Sequence, residues 1–543
     1  MQFLAESSVE VSFDEEFAAA DGTRLSANIY RPSVVPLPVV VMWTPYDNGR
    51  FPRAMGMALS AVGLTRYCKR LAVAAEVVVV CVDVRGRGDS AGEFVPFQHE
   101  AADAEAVVRQ VREQPWCRGR VAVLGHGYGA LSALGAARRA AEAVCCAFVT
   151  SPPGAAWEVF PGRDGVRRAD LLLWRHRIAG RTPQPVDLTD WEKLARLPWP
   201  EQEHALGRDD LDWADWPADA GLRAGLEEGA EPVDIPTMIV TGWWDPACRA
   251  AVALAGMSAQ AQLIVGPWNA RAARDPVRQV GGVDWGPRSV LDPLETQIRW
   301  LREHFEDPAE QLAGTGPHRE TGTRSARGQI FVTGDNSWRT FPDQSEVRPW
   351  SLHLVSSGRA QTTAGDGMLV ELQPLGDCSD VFTSVLDDPV PAQPAFAPAT
   401  RAHSPEVLDL TFLNGRHDMV VYTSSPLHDP LSVVGEPLLE LHATSDSPVP
   451  AHWIVSLEDV FPGGTASLHL GLGMAVTQPG ESNAVLRLGP IGHRFLTGHS
   501  LRIRIAATCA PLCRSPEGTP AFDRREVLHA GSAVTLPVVG GRS

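Results

Sequence analysis

The residues that could carry chemistry lie in short glycine-containing segments, and the most informative is Gly125-His126-Gly127-Tyr128-Gly129-Ala130. An apolar strand pattern ends just before it, at Leu124, and an alanine-rich helical pattern follows. Such glycines are a weak signal alone, because any tight turn after a strand, including a phosphate-binding loop, can contain them. A sharp strand-to-helix turn can also raise a nucleophilic hydroxyl above a sheet, but the central residue, Gly127, has no side chain.

Three other segments follow apolar strand patterns and make the glycine-rich turn more specific. Trp43-Thr44-Pro45-Tyr46 comes early in the chain. Gly242-Trp243-Trp244-Asp245 and Gly266-Pro267-Trp268-Asn269-Ala270 come later, each after a short apolar run. Their order along the chain carries more information than any one of them alone.

Together these segments resemble those of the serine hydrolase family that contains cocaine esterase and X-prolyl dipeptidyl-peptidase. The other segments that resemble the family are Asp83–Phe94 and Pro115–Val121 before the turn, and, near the C-terminus, Gly334–Trp338, Tyr422–Leu427, Asp459–Pro462 and Gly498–Arg502, which are similar to its jelly-roll domain. The resemblance covers nearly the whole chain in the family's order. The sequence is therefore identified as a member of that family.

The resemblance implies a catalytic Ser, Asp and His at positions 127, 245 and 270. Only Asp245 has the expected type, because Gly127 and Ala270 stand at the other two positions. The resemblance also implies an oxyanion hole formed by the backbone N–H of Tyr128 and the hydroxyl of Tyr46. The candidate substrate-binding residues in the same segments are Trp243, Trp244, Trp268 and Asn269.

No acyl-enzyme can form at position 127 without a hydroxyl, and loss of such a catalytic unit costs on the order of 10⁶ in turnover, about 8 kcal/mol. His126 is a candidate catalytic residue with packing as the alternative, and Ser132 lies one helical turn further on, where packing is the simpler explanation. Tyr46 and Tyr128 could also serve packing. Asp245 could bind backbone groups, act as a base, or pair with Arg271 or Arg274.

The elements that must position these residues alternate between apolar strands and helical patterns over 1–151, which predicts the first part of a doubly wound α/β domain. Residues 152–232 lack strand patterns and are rich in Trp, Pro and charged residues, which predicts an inserted helical cap. The α/β pattern resumes over 233–318, and short alternating strands over 319–543 predict an all-β sandwich. The predicted fold is an α/β-hydrolase fold with an inserted helical cap and a C-terminal jelly-roll sandwich.

Composition limits the partners. The formal net charge of −17 argues against nucleic acid and anionic membranes, because both would repel the chain at long range. The N-terminus lacks a basic and apolar leader, so we expect a cytoplasmic protein. The nine cysteines show no metal-ligand spacing, and we expect reduced thiols, no metal and no cofactor. We expect a small-molecule substrate or ligand, and the sequence leaves open whether the chain forms a homo-oligomer.

Three functions remain open at the level of sequence. The first is an enzyme that uses the hydrolase pocket for cyclisation, isomerisation or elimination on a carbonyl-bearing metabolite, with a role in secondary metabolism as an analogy from fold alone. The second is a catalytically silent pseudo-hydrolase that binds a ligand. The third is hydrolysis of an ester, amide or X-Pro peptide through water or an unrecognised nucleophile.

Overall fold

The computed structural model describes residues 9–48, 61–153, 166, 174, 177–184, 231–270, 276–306, 328–342, 344–362, 365–373, 378–391, 409–510, 512–513, 516 and 518–540. Within these residues no helix is both long enough and apolar enough to cross a membrane. The predicted cap over 152–232 lies mostly outside the described residues, apart from its two ends, position 166, Trp174 and residues 177–184.

The N-terminal domain is built on one large twisted sheet. Its strands before the second domain are β1 Glu10–Ala18, β2 Arg24–Arg31, β3 Leu37–Thr44, β4 Val78–Asp83, β5 Cys117–His126, β6 Val144–Thr150, β7 Thr237–Trp244 and β8 Ala261–Asn269. A short hairpin follows, formed by two strands of two residues each, β9 Gln279–Val280 and β10 Val283–Asp284. The last two strands of the large sheet are β11 Gly328–Val332 and β12 Ser337–Thr340. The strand order is β1-β2-β4-β3-β5-β6-β7-β8-β11-β12, and every pair from β4 to β11 is parallel.

Helices cover both faces of this sheet. They are α1 Ala61–Ala75, α2 Glu100–Arg112, α3 Gly129–Arg139, α4 Cys248–Met257 and α5 Pro293–Phe305. Alternate residues of each strand point to opposite faces, so Val39 and Val41 pack with α2, α3 and α4, whereas Val40 and Met42 pack with α1 and α5. This arrangement confirms the predicted doubly wound domain.

The C-terminal domain is a β sandwich, as predicted. Its strands are β13 Val347–Val355, β14 Met368–Val370, β15 Ser379–Val385, β16 Met419–Ser424, β17 Leu431–Gly435, β18 Leu438–Ser445, β19 Ala451–Val460, β20 Ser467–Thr477, β21 Asn483–Arg487, β22 Ile491–Phe495, β23 Ser500–Ala506 and β24 Phe522–Val539. Short 3₁₀ turns cover Pro287–Ser289, Gln344–Glu346 and Thr411–Leu413. The long strand β24 pairs with β13, β15, β17 and β18, which ties the domain together.

The α/β sheet extends beyond the predicted boundary at residue 318. Strand β11 pairs in parallel with β8, Gly328 opposite Leu263, and β12 then pairs with β11. The sequence pattern had assigned the strand around Phe331 to the second domain, because a short alternating strand has the same appearance in either sheet. Pairing with β8 decides which sheet this strand joins, and the local sequence pattern carries no information about that pairing.

The two domains meet at the end of β11. The Thr333 N–H donates to the Gly492 carbonyl at 2.9 Å, and the Arg494 N–H donates to the Thr333 carbonyl at 2.8 Å. The Thr333 hydroxyl lies 2.8 Å from His493 Nδ1, and His493 Nε2 lies 3.1 Å from Asp459. These side chains are buried, so this Thr-His-Asp arrangement joins the domains and is closed to solvent.

Candidate active site

The predicted site residues meet at the carboxyl edge of the parallel sheet. Strands β3, β5, β6, β7 and β8 are consecutive neighbours in the sheet. Tyr46 follows β3, Gly127 follows β5, Ser151 follows β6, Asp245 follows β7 and Ala270 follows β8. Because parallel strands end at one edge, these five positions lie along the same edge of the sheet, where sites of open α/β sheets are usual.

Gly127 is the central residue of a sharp turn between β5 and α3, and it has no side chain. Gly127 has φ +53°, its N–H donates to the Thr150 carbonyl at 2.9 Å, and its carbonyl accepts from the Ala130 N–H at 2.9 Å. A Cβ added at Gly127 would meet no atom of the described residues within 4 Å, whereas one at Gly129 would lie 2.3 Å from the Trp43 carbonyl oxygen. Crowding by the described residues therefore does not explain the missing side chain at position 127.

Tyr128 has separate side-chain and backbone roles. Its buried hydroxyl donates to Glu100 and accepts the Phe97 N–H at 3.0 Å, and its ring packs against Phe94, Phe97 and Trp174. Its backbone N–H has no hydrogen-bond acceptor among the described residues. The side chain is thus a core residue, and the free N–H is the group that could bind an oxyanion.

The carboxyl group that anchors Tyr128 is itself unusual. Glu100 is buried at the start of α2, and burial raises its pKa from 4.5 to about 7. Burial also raises the pKa of Tyr128 well above its ordinary value. Nothing in the sequence marked Glu100, because its partner lies 28 residues away, beyond a loop and a strand.

Tyr46 meets the described part of the cap segment. Its hydroxyl accepts the Trp174 Nε1–H at 3.0 Å, and the Arg177 guanidinium lies 5.2 Å from the centre of its ring. The Trp174 ring also lies 5.5 Å from that of Tyr128, so it links the two tyrosines. No described acceptor takes the Tyr46 hydroxyl proton, which leaves it able to donate to a ligand.

The buried Arg87 fixes the position of Tyr46. Its Nε donates to the Pro45 carbonyl at 2.7 Å, and its Nη1 donates to the carbonyls of Ile178 and Gly180. Burial lowers its pKa to about 10. Sequence reasoning used the segment around Arg87 only as a family signature, and the structure gives it a role, because it joins the strand end before Tyr46 to the cap segment.

Asp245 is a buried carboxylate whose described partners are all uncharged. Its Oδ2 accepts from the Ser151 hydroxyl at 2.5 Å and from the Thr241 hydroxyl at 3.3 Å, and its Oδ1 accepts the Ala247 N–H at 2.9 Å. Burial raises its pKa, and these three hydrogen bonds oppose that rise. No cation pairs with it among the described residues, and Arg271 and Arg274, the predicted partners, lie outside them.

Ala270 is exposed at the end of β8. The register pairs Trp244 with Asn269, so Asp245 and Ala270 are the next residues of neighbouring strands. Asn269 is buried at the strand end. A histidine at position 270 would thus be attached to the backbone next to the strand end that carries Asp245.

His126 has structural partners on both ring nitrogens. Its Nδ1 lies 2.6 Å from the Thr150 hydroxyl and its Nε2 lies 3.4 Å from the Tyr67 hydroxyl on α1. The Tyr67 ring also meets it edge-on, with ring centres 5.8 Å apart. These contacts favour the packing alternative for His126, and its catalytic role stays a prediction.

The three tryptophans predicted to bind substrate pack inside the protein. Trp243 donates to the Phe331 carbonyl at 2.7 Å, Trp244 donates to the His469 carbonyl at 3.3 Å, and Trp268 donates to the Ser289 carbonyl at 2.8 Å. All three are at most 5% exposed. Their proximity to Asp245 and Ala270 in sequence suggested a cleft, but their rings point into the domain interface and the core, so the substrate-binding assignment is corrected.

Within the described residues, no group of three or more His, Cys, Asp or Glu side chains could hold a metal ion.

Two residues near the sheet edge were not predicted from the sequence. Ser151 lies 94 residues before Asp245 in the chain, and Trp174 lies in a segment without a clear pattern. The only sequence signal for Ser151 is its place directly after a strand.

Comparison with known proteins places this geometry in a family. Residues 21–269 match the X-Pro dipeptidyl-peptidase (S15 family) model, and residues 325–531 match the X-Pro dipeptidyl-peptidase C-terminal non-catalytic domain. Cocaine esterase of Rhodococcus sp. (strain MB1 Bresler) is 27% identical over 564 aligned residues, covering 94% of this chain and 92% of that protein.

Solved structures share the fold across both domains. An aminopeptidase from a marine sediment Thaumarchaeota archaeon has a TM-score of 0.78 at 19% identity, and an α-amino acid ester hydrolase has a TM-score of 0.78 at 20% identity. Each match covers 98% of this chain and 97% of the other. The chain belongs to the cocaine esterase and X-prolyl dipeptidyl-peptidase-like family of α/β-hydrolases, a family of esterases and peptidases.

Proposed function

We propose that this protein is an enzyme that acts on a carbonyl-bearing small metabolite by cyclisation, isomerisation or elimination rather than by ordinary serine hydrolysis. The observation that carries the proposal is the buried Asp245 carboxylate, without a cationic partner among the described residues, at the same sheet edge as the free Tyr128 N–H. The space over Gly127, which no described residue fills, is where a substrate carbonyl would lie.

The chemistry begins with the substrate carbonyl oxygen bound by the Tyr128 N–H and the Tyr46 hydroxyl. Such donors each contribute about 3 to 4 kcal/mol when negative charge develops on the oxygen. Asp245 then removes a proton from the carbon next to the carbonyl, and the electron pair moves to the oxygen as an enolate. Reprotonation elsewhere gives isomerisation, loss of a β-substituent gives elimination, and attack on a second carbonyl gives cyclisation.

The surroundings of Asp245 suit a base. A carboxylate offers about four acceptor positions, and three are used by Ser151, Thr241 and Ala247. A raised pKa makes the ionised form a stronger base towards a carbon acid. The absence of a hydroxyl at Gly127 removes the competing acyl-enzyme route at the elbow.

Proton exchange tests this function before the natural substrate is known. The protein would be incubated in D₂O with a simple ketone, a β-keto ester and a thioester, and loss of the α-proton signal followed by NMR. We expect exchange above the buffer rate, a decrease of at least 10²-fold in Asp245→Asn, and a smaller decrease in Tyr46→Phe. Exchange that is equally fast in Asp245→Asn would contradict the proposal.

A catalytically silent binding protein is the second candidate. It is favoured by the three hydrogen bonds on Asp245 and by the packing role of the Tyr128 side chain. Native mass spectrometry of the purified protein would detect a retained ligand. A ligand released unchanged, together with no proton exchange, would support binding alone.

The double change Gly127→Ser with Ala270→His tests whether the scaffold still supports ester hydrolysis. No described residue crowds position 127, and position 270 adjoins Asp245 in register. We expect p-nitrophenyl acetate hydrolysis above that of the parent protein, with each single change near the parent rate. We further propose a cytoplasmic location and a small-molecule partner, since the net charge of −17 argues against nucleic acid and anionic membranes as partners.

A further inference from the structure

Ser151 has a backbone conformation that is rare for a serine. Its φ is +47°, in the left-handed region that Gly127 also occupies with φ +53°. A non-glycine residue held there costs of the order of 1 to 3 kcal/mol, and such strain concentrates at active sites. The conformation is maintained by the Ser151 N–H, which donates to the Val240 carbonyl at 2.9 Å on the next strand.

The hydroxyl of Ser151 is bonded to the carboxylate that would serve as its base. Ser151 Oγ donates to Asp245 Oδ2 at 2.5 Å. Thr241 and Ala247 bind the same carboxylate and hold it in place. A hydroxyl in direct contact with a fixed base is the arrangement that activates a serine for attack on a carbonyl.

Ser151 also lies beside the elbow. The Gly127 N–H donates to the Thr150 carbonyl, which belongs to the peptide group that ends at the Ser151 nitrogen. The sheet order places β6, and therefore Ser151, between the strands that end at Gly127 and Asp245. The Tyr128 N–H, which has no described acceptor, and the space over Gly127, which no described residue fills, thus lie at the end of the strand next to β6.

We propose that Ser151 is a covalent nucleophile, with Asp245 as its base, displaced by one strand from the elbow. The substrate class is an acyl ester or thioester. The Ser151 oxygen bonds to the carbonyl carbon and its proton passes to Asp245, and the bond to the leaving oxygen or sulfur then breaks as Asp245 returns the proton to that atom. Water, or a hydroxyl or amine of the same substrate, would then bond to the acyl carbon and give its proton to Asp245. The bond between that carbon and the Ser151 oxygen breaks as Asp245 returns the proton to Ser151.

This inference goes beyond the proton-abstraction chemistry proposed above and does not depend on it. Both reactions use Asp245 as base, but the proton comes from carbon in one and from Ser151 in the other. Release by a substrate hydroxyl or amine is cyclisation, and release by water is hydrolysis. Ser151 therefore gives the hydrolase alternative a specific nucleophile.

Covalent labelling tests the proposal. The full-length protein would be treated with a fluorophosphonate and with phenylmethylsulfonyl fluoride, the added mass measured on the intact protein, and the modified residue located by peptide sequencing. We expect one adduct, on Ser151. Labelling should be absent in Ser151→Ala and Ser151→Gly, and slower by at least 10²-fold in Asp245→Asn.

Ser132→Ala is the matched control. Ser132 is another buried serine near the elbow, and the proposal gives it no part in the reaction, so this variant should be labelled at the parent rate. Circular dichroism would verify that both Ser151 variants are folded, and glycine suits the positive φ. No adduct, an adduct elsewhere, or an adduct that persists in folded Ser151 variants would overturn the proposal. Proton exchange retained in Ser151→Ala would show that the proton-abstraction function stands even if the covalent one fails.

Discussion

Replacing the buried Glu100 by glutamine should remove a pH dependence from the stability of the α/β domain. The carboxyl group has a pKa of about 7 in the folded protein against an ordinary value of 4.5, chiefly because burial disfavours its charge. Between these two pH values the folded protein keeps a proton that the unfolded chain has lost. The free energy of unfolding therefore falls as the pH rises through this window.

The size of the effect follows from the two pKa values. A difference of this size, at about 1.4 kcal/mol per pH unit, corresponds to about 3 kcal/mol. The neighbouring Asp103 contributes a further rise in the pKa of Glu100 through its charge, although it is paired with Arg85 at 2.7 Å. Glutamine keeps an oxygen to accept the Tyr128 hydroxyl but cannot titrate.

The assay is urea unfolding of the parent and Glu100→Gln proteins at several pH values from 4.5 to 8, followed by tryptophan fluorescence. The variant carries its own cost, since an amide nitrogen replaces an oxygen that accepts the His99 N–H at 3.2 Å. That cost is the same at every pH and cancels in the comparison. We expect the stability of the variant relative to the parent to rise by about 3 kcal/mol between pH 4.5 and pH 8.

Glu113→Gln, at the exposed end of the same helix, controls for the removal of one negative charge. A difference between parent and Glu100→Gln that stays constant across the pH range would refute the reasoning. It would mean that the Tyr128 hydrogen bond and other contacts keep Glu100 ionised in the folded protein at acid pH.

Three further changes test other parts of the structure. Ser151→Gly should be more stable than Ser151→Ala by about 1 kcal/mol in urea unfolding, because both lose the hydroxyl but only glycine adopts φ +47° without strain; equal stability would contradict the strained conformation. Gly492→Ala should lower the melting temperature, because its Cβ would lie 2.3 Å from the Trp243 ring at the domain interface. Gly256→Ala, in α4 with open space around it, should instead raise stability by about 0.5 to 1 kcal/mol.

The sequence was informative where chemistry and local pattern coincide. The strand before Gly125 and the helix after it predicted the turn at Gly127, and the segment ending at Asp245 predicted a carboxylate at a strand end. Both predictions rest on local hydrophobic patterns and on glycines, and these features are visible in a single sequence. The family resemblance then supplied the order of the parts.

Contacts between distant strands were beyond reach of the same reasoning. Ser151 binds Asp245 across 94 residues, and its positive φ follows from pairing with β7 rather than from its neighbours in the chain. Trp243 and Trp244 adjoin Asp245 in sequence, yet both reach towards the second domain. Successive residues at a strand end point in different directions, so proximity in sequence does not predict a shared cleft.

Strand β11 has a consequence for the synthesis of the chain. It pairs with β8 and extends the first sheet, but about 60 residues separate the end of β8 at Asn269 from the end of β11 at Val332. At a translation rate of about 5 to 20 residues per second, the nascent chain spends roughly 3 to 13 s with β8 as an unpaired edge. An apolar edge with free backbone groups can pair with other chains, so expression at high ribosome density should favour aggregation at this stage.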